Sequence, residues 1–280
     1  MSSSSQRFSD AVGVASINVP RLLHNIFQSR GPPCSLAQSF CTILKSRQRY
    51  NHLDQSSLLN VQEISLDFAR EVLLRTDRSS MKAEVKASVN LLTTDEAAAV
   101  CAYTLENGPY TALNKVLREE SMPLLDPFAD YLWLLMHGLS KCPRPIPTLV
   151  YRGVRSGVGA TYNNIGDVIT WCSFSSCTTQ AEALENDMFL GMSGARTEFH
   201  ITLTTNRARS IRHLSLMPDE EEILLPPNTR LRVMGRADRG HGLWVVQLLE
   251  EPCLATILVF PGEYGTFLAL PPHHRCSYIL

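Results

Sequence analysis

The chain has 280 residues, of which 44% are hydrophobic and 19% are charged, as is typical of a folded globular protein. A formal net charge of −1 gives no general attraction to nucleic acid or to an acidic membrane surface. The eight cysteines include no CxxC pair and no histidine at zinc-finger spacing, so a metal site is not expected. Dispersed cysteines in a chain of this length indicate reduced thiols and favour a cytoplasmic location.

The two ends of the chain differ in composition from its centre. Residues 1–50 are rich in serine and contain Gly31-Pro32-Pro33, which predicts a flexible extension. Residues 1–48 also carry five basic side chains against one acidic side chain, Asp10, so an organellar transit peptide is an alternative. No secretory signal or transmembrane span is recognised, and 252–280 is expected to be a C-terminal extension in which 254–270 forms two strands and a turn.

Helical patterns fill the first half of the chain. Apolar residues recur at helical spacing from Leu58 to Val72, within a helical lead-in at 51–92. Thr93 and Glu96 form a capping-box pattern that predicts the start of a second helix. We expect helices over 57–75, from 94 to about 106, over 110–118 and over 127–139, with a polar linker at 75–82.

Beyond Pro147 the pattern changes from helix to strand. Six segments are rich in β-branched, aromatic and other apolar residues, and we expect them to be strands. They are 148–151, 167–171, 197–203, 223–225, 229–233 and 244–248. Helices followed by strands indicate an α+β protein, with 93–251 as its main domain.

A run of three acids, Glu220-Glu221-Glu222, directly precedes an apolar segment that two prolines end. If the acids belong to the strand, Glu220 and Glu222 point to one face and Glu221 to the other. Two like charges about 7 Å apart on one face repel each other, and burial strengthens the repulsion. Such a pair is expected to serve a function, although a solvated acidic turn is the alternative.

Two further motifs precede the acidic run. In Tyr151-Arg152-Gly153-Val154, an arginine on a strand is followed by a glycine whose backbone a ligand can approach closely, which suits a phosphate or a dinucleotide. In 171–178, which reads W-C-S-F-S-S-C-T, apolar and hydroxyl side chains alternate. Each motif alone also fits a structural role, the first as a strand end and the second as a Ser/Thr-rich strand edge.

Taken in order, Arg152, Ser176 and Glu220-x-Glu222 resemble the R-S-E-x-E motif of the arginine-type mono-ADP-ribosyltransferases, in particular the non-toxin group. The resemblance extends over about 93–250. It implies a helical half packed on two mostly antiparallel β-sheets with a cleft for NAD between them. The Ser-Thr-Ser motif of the family is replaced here by Ser176-Cys177-Thr178.

The resemblance also implies a role for each residue. Arg152 would bind the pyrophosphate and ribose of NAD, and the backbone of Gly153 would bind the nicotinamide amide. Glu222 would stabilise the positive charge that develops on the ribose, and Ser176 would orient Glu222. Glu220 would orient the acceptor guanidinium and accept its proton. No metal is required.

The implied reaction transfers ADP-ribose from NAD to an arginine of a protein acceptor and releases nicotinamide. The segment at 207–219 is expected to contact the acceptor. Two alternatives stay open, namely hydrolysis of NAD with water as the acceptor, and a non-catalytic module that binds NAD.

Overall fold

The computed structural model describes residues 35–46, 54–75, 79–185, 190–191 and 193–252, together with residues 23, 26 and 27. The expected transit peptide lies mostly outside the described residues, and the strands and turn at 254–270 lie entirely outside them. Among the helices in the described ranges, none combines the length and the hydropathy that a membrane crossing needs.

Six helices of nine residues or more form the described part of the first half. They are α1 Leu36–Lys45, α2 Gln55–Leu74, α3 Ala83–Leu91, α4 Thr94–Thr104, α5 Tyr110–Glu119 and α6 Ala129–Lys141. The four predicted helices are confirmed, with boundaries that differ by about two residues. The capping box is also confirmed, because the side chains of Thr93 and Glu96 each accept a hydrogen bond from the other's backbone N–H.

Helix α1 lies inside the extension that the sequence predicted to be flexible, and that prediction is wrong for residues 35–46. Leu36, Phe40 and Ile43 are fully buried in the helical core. The backbone N–H of Leu36 donates to Asp95 Oδ1 at 2.7 Å and so ties α1 to the first turn of α4. The polar composition of the surrounding residues obscured three apolar positions that have helical spacing.

The second half contains eight strands: β1 Leu149–Val154, β2 Val168–Trp171, β3 Ser175–Thr178, β4 Arg196–Thr202, β5 Arg209–Ser210, β6 Glu222–Leu225, β7 Thr229–Asp238 and β8 Leu243–Glu251. Their order is β2-β7-β8-β4-β1-β3-β6-β5, and only β4 and β8 run parallel among these pairs. The α+β class and the mostly antiparallel pairing are therefore confirmed. All six predicted strands form, while β3 and the short edge strand β5 were not among them.

The two expected sheets correspond to the two halves of one continuous sheet. Strands β2, β7, β8, β4 and β1 form one half, and β3, β6 and β5 form the other. Tyr151 and Thr178 are the register position at which β1 pairs with β3 and joins the halves. One apolar core lies within the sheet region, while Leu224 of β6 packs into the core of the helical half.

Candidate active site

Three polar side chains lie on one face of the β3–β6 pair. Thr178 is paired with Glu222, and Ser176 is paired with Leu224. Because paired residues share a face and every second residue returns to it, Ser176, Thr178 and Glu222 lie together. All three are buried, and Glu222 has no exposed surface. The structure therefore brings together the serine and the second glutamate that the sequence selected, but in the part of the chain that it describes the expected hydrogen bond from Ser176 Oγ to Glu222 is not formed.

Arg152 connects the two halves of the sheet. It is buried, and its Nη1 donates to the backbone carbonyl of Ser176 at 2.8 Å. Arg152 is paired with Phe199 of β4, and its guanidinium lies 6.0 Å from the centre of the Trp171 ring. The side chain thus lies among aromatic residues and holds the backbone of β3 beside β1, at the junction next to Tyr151.

Glu220 does not lie on the strand, so the predicted alternation of Glu220 and Glu222 is wrong. Pro218–Glu220 form a 3-10 turn, and Glu221 has the left-handed conformation (φ 46°, ψ 45°) that ends it. Strand β6 begins only at Glu222. The turn nevertheless keeps Glu220 near the site, because Thr178 Oγ1 donates to the Glu220 carbonyl at 3.1 Å.

The side chain of Glu221 is directed to two partners outside the acidic run. Its Oε2 accepts from Thr179 Oγ1, and its Oε1 accepts from Arg212 Nη1, both at 2.7 Å. The hydrogen bond from Thr179, supported by the charge of Arg212, holds the pKa of Glu221 below its usual value although burial opposes this shift. Glu221, Arg212 and Pro218 line a groove of about 510 Å³ beside this turn.

The backbone at Gly153 lies close to an apolar cluster. A Cβ atom at Gly153 would lie 3.2 Å from both Cβ and Cδ1 of Leu190. Leu190 and Leu184 form this cluster, against which Tyr151 packs. Glycine is therefore needed here for close approach to a neighbouring side chain, a constraint that the sequence alone does not reveal.

The sequence analysis did not single out Asn114 of α5. Asn114 is buried, its Nδ2 donates to the Tyr103 hydroxyl at 3.0 Å, and its Oδ1 accepts from the backbone N–H of Phe174 at 3.1 Å. It thereby fixes the helical half to the residue that precedes β3 and Ser176. The sequence signal that could have identified Asn114 is a polar amide among apolar residues of α5. Its neighbours Leu113 and Val116 are both buried.

Two cysteines near the site are not nucleophiles. Burial raises the pKa of the Cys177 thiol to about 12 and that of the Cys172 thiol to about 11. Both remain protonated at neutral pH, whereas the thiolate is the reactive form. The candidate groups at this site are therefore the carboxylate of Glu222, the hydroxyl of Ser176 and the guanidinium of Arg152.

A family model for NAD:arginine ADP-ribosyltransferases matches residues 51–252. The chain belongs to this family. The matched range includes both the expected lead-in at 51–92 and the expected main domain at 93–251. Family membership confirms the resemblance that Arg152, Ser176 and Glu222 indicated.

Two relatives carry names of the same kind. The chain is 29% identical over 171 residues to the NAD(+)--protein-arginine ADP-ribosyltransferase Tre1 of Serratia proteamaculans, an overlap of 61% of this chain and 35% of that protein. It is 30% identical over 168 residues to the putative NAD(+)--arginine ADP-ribosyltransferase Mav of Mycobacterium avium, covering 57% of this chain and 18% of that protein. The chain therefore spans about a third of the length of the Serratia protein and about a fifth of the length of the Mycobacterium protein.

Solved structures share the fold. The type III effector XopAI of Xanthomonas axonopodis pv. citri superposes with a TM-score of 0.53 at 16% identity, over 84% of this chain and 95% of that one. The ADP-ribosyltransferase Vis of Vibrio splendidus superposes with a TM-score of 0.51 at 19% identity, over 69% and 85% of the two chains. At these identities the likeness shows the fold.

Proposed function

We propose that this chain transfers ADP-ribose from NAD to the guanidinium of a protein arginine and releases nicotinamide. The observation that carries the proposal is the position of Glu222, which is fully buried opposite Thr178 and on the same face as Ser176. Membership of the family and the names of the two relatives support the same reaction.

The buried hydroxyl of Ser176 supports a site for a further molecule. Within the described residues, Ser176 Oγ has no hydrogen-bond partner, although the residue is 1% exposed. A buried polar atom in this state costs free energy unless another group satisfies it, and such groups occur at functional sites. NAD fits this requirement as a co-substrate that supplies the ADP-ribose group and the nicotinamide leaving group.

Glu222 carries the main electrostatic role. Breaking the bond between ribose and nicotinamide develops positive charge on the sugar, as in glycoside hydrolysis. A carboxylate held in a buried position stabilises that charge more strongly than the same group in water. Ser176 lies on the same face as this carboxylate, and we assign its hydroxyl to the bound NAD beside Glu222. The pairing with Thr178 fixes the backbone from which Glu222 projects.

Arg152 and Gly153 contribute at the junction of the two sheet halves. Arg152 joins β1 to the carbonyl of Ser176, so it holds the two motifs in register and places a positive charge near the proposed pyrophosphate site. We assign to the backbone of Gly153 the contact with the nicotinamide amide. Leu190 packs closely on Gly153, so little space is left beside this glycine for the nicotinamide.

Glu220 is assigned to the acceptor. A guanidinium is protonated in water, with a pKa above ~12, and must lose a proton to attack. Glu220 in the turn before β6 orients the acceptor and accepts that proton. The segment leading to this turn exposes Leu216 and Met217, which are 42% and 43% accessible, and we propose that these side chains contact the acceptor protein.

The test uses labelled NAD with agmatine, a small guanidinium acceptor. Wild type is expected to label agmatine and to release nicotinamide. Glu222→Gln should lower both rates by on the order of 10²–10³-fold, because the preorganised charge is lost. Glu220→Gln should lose agmatine labelling but keep nicotinamide release. With water as the acceptor, no guanidinium has to be deprotonated, so Glu220 is not required.

Glu251→Gln is a matched control, because Glu251 forms a partly exposed ion pair with Arg232 away from the site. It should leave both rates unchanged. Nicotinamide release without agmatine labelling in wild type would favour the hydrolase, and absence of both products would favour a binding module. Agmatine labelling that persists in Glu220→Gln would show that the role of Glu220 is wrong.

A further inference from the structure

Glu221, between the two proposed active-site glutamates, has a backbone conformation that glutamate rarely adopts. Its φ of 46° and ψ of 45° lie in the left-handed region, which Gly, Asn and Asp populate far more readily than other residues. Such a conformation persists when surrounding contacts stabilise it. In this chain the side chain of Glu221 supplies these contacts.

Both carboxylate oxygens of Glu221 are engaged by different elements. Thr179, which follows β3, donates to Oε2, and Arg212, in the 3-10 turn Arg212–Leu214, donates to Oε1. Both distances are 2.7 Å, within the usual range of charge-assisted hydrogen bonds. One side chain therefore ties the turn before β6 to the end of β3 and to the preceding loop.

Consecutive residues at the end of β3 hold consecutive residues of the acidic run. Thr178 Oγ1 donates to the backbone carbonyl of Glu220, and Thr179 Oγ1 donates to the side chain of Glu221. Glu222, the next residue, is paired directly with Thr178. The position of Glu220 relative to Glu222 is thus set by the Thr178 bond to its carbonyl together with the side-chain bonds of Glu221, since strand alternation does not apply to a residue in the turn.

We propose that Glu221 is a positioning residue that fixes the turn of Glu220 and so favours transfer to arginine over hydrolysis of NAD. The inference rests on the function proposed above. Glu221 touches neither substrate; it acts through Glu220. Its loss should lower agmatine labelling and leave nicotinamide release largely unchanged, because Glu222 remains held by β6.

Glu221→Gly separates positioning from stability. Glycine adopts the left-handed conformation without a steric penalty, so the turn can still form while both carboxylate bonds are lost. We expect the ratio of agmatine labelling to nicotinamide release to fall about tenfold or more, since a misplaced proton acceptor loses part of its contribution. The melting temperature should stay close to that of wild type, because the turn can still form.

Thr179 provides a second, independent variant. Thr179→Val removes the hydroxyl that donates to Glu221 and should lower the same ratio. Thr179→Ser keeps a hydroxyl and should restore it. A purely structural role would not predict recovery of the product ratio by the conservative variant while both proteins remain folded.

His241→Gly is the control. His241 also has a left-handed backbone (φ 50°), in the exposed turn between β7 and β8, so the exchange to glycine is made there outside the acidic run. Its product ratio should equal that of wild type. An unchanged ratio in Glu221→Gly, or an equal loss of both products together with a lower melting temperature, would overturn the inference. If wild type released nicotinamide without labelling agmatine, the proposed transfer itself would be wrong, and this inference with it.

Discussion

Arg152 donates from Nη1 to the backbone carbonyl of Ser176 at 2.8 Å, across the junction where β1 meets β3. The sequence motifs around these two residues are 24 positions apart, yet one hydrogen bond places them in the same site. The arginine is buried, so its first effect is on the arrangement of the two sheet halves. The predicted contact with NAD depends on that arrangement.

Arg152→Lys should destabilise the protein and weaken NAD binding together. Lysine lacks the planar fork that reaches the Ser176 carbonyl from a buried position, and a lost hydrogen bond to a charged group costs about 2 kcal/mol. The melting temperature should fall by roughly 4–8 °C for a domain of this size. Thermal unfolding and the KM for NAD measure the two effects. Arg70→Lys, in an exposed ion pair with Asp67, should change neither.

Ser176→Ala should lower activity without lowering stability. The hydroxyl is buried and has no hydrogen-bond partner among the described residues, so its removal relieves an unsatisfied polar group. We expect both products to fall about 10- to 100-fold, because the hydroxyl proposed to bind NAD beside Glu222 is lost. Urea unfolding and nicotinamide release provide the measurements. Ser65→Ala, which removes a satisfied buried hydroxyl in α2, should show no loss of activity, and a stability loss in Ser176→Ala would contradict the assignment.

Gly153→Ala should raise the KM for NAD. The added methyl group would lie 3.2 Å from Leu190, so the cluster or the strand must shift by a few tenths of an ångström at the proposed nicotinamide contact. Gly157→Ala is the control, since its Cβ would lie 3.6 Å from Ala195, an ordinary contact distance. Steady-state kinetics with agmatine in excess distinguish the two variants, and equal KM values would show that the packing at Gly153 does not control NAD binding.

His213 should make the protein less stable in acid. Burial lowers the pKa of His213 from 6.5 to about 4, and its Nε2 lies 3.1 Å from Ser88 Oγ of α3. Between pH 6.5 and 4 the unfolded chain therefore binds more protons at this histidine than the folded protein does. The stabilisation is complete above pH 6.5 and is lost as the pH falls towards 4. This single group should lower the free energy of unfolding by about 2 kcal/mol between pH 7 and pH 5.

Urea unfolding of His213→Asn at these two pH values measures that difference. The variant should lose less stability than wild type between pH 7 and pH 5. His241→Asn is the control, because His241 is exposed in the turn between β7 and β8 and has a left-handed backbone that asparagine tolerates. An identical pH dependence in wild type and His213→Asn would refute the prediction.

Local patterns predicted most of the secondary structure because they act within one element. The Thr93–Glu96 capping box needs only four consecutive residues, and the apolar spacing of α2 needs only its own turns. Helix α1 was missed since its stability depends on burial of Leu36 and Phe40 in a core that α4 and α6 complete. A polar, serine-rich sequence context gave the wrong expectation for it.

By itself, the sequence determined the order of the candidate site residues Arg152, Ser176 and Glu222, because each lies in a short, contiguous motif. Only the tertiary structure decided the place of Glu220. Its turn is held by the Thr178 bond to the Glu220 carbonyl and, in the role proposed above, by the bonds that Glu221 makes to Thr179 and Arg212, residues 42 and 9 positions away. Strand periodicity describes the intrinsic preference of an extended chain, whereas these two Glu221 bonds to residues outside the turn stabilise a left-handed residue that the preference disfavours.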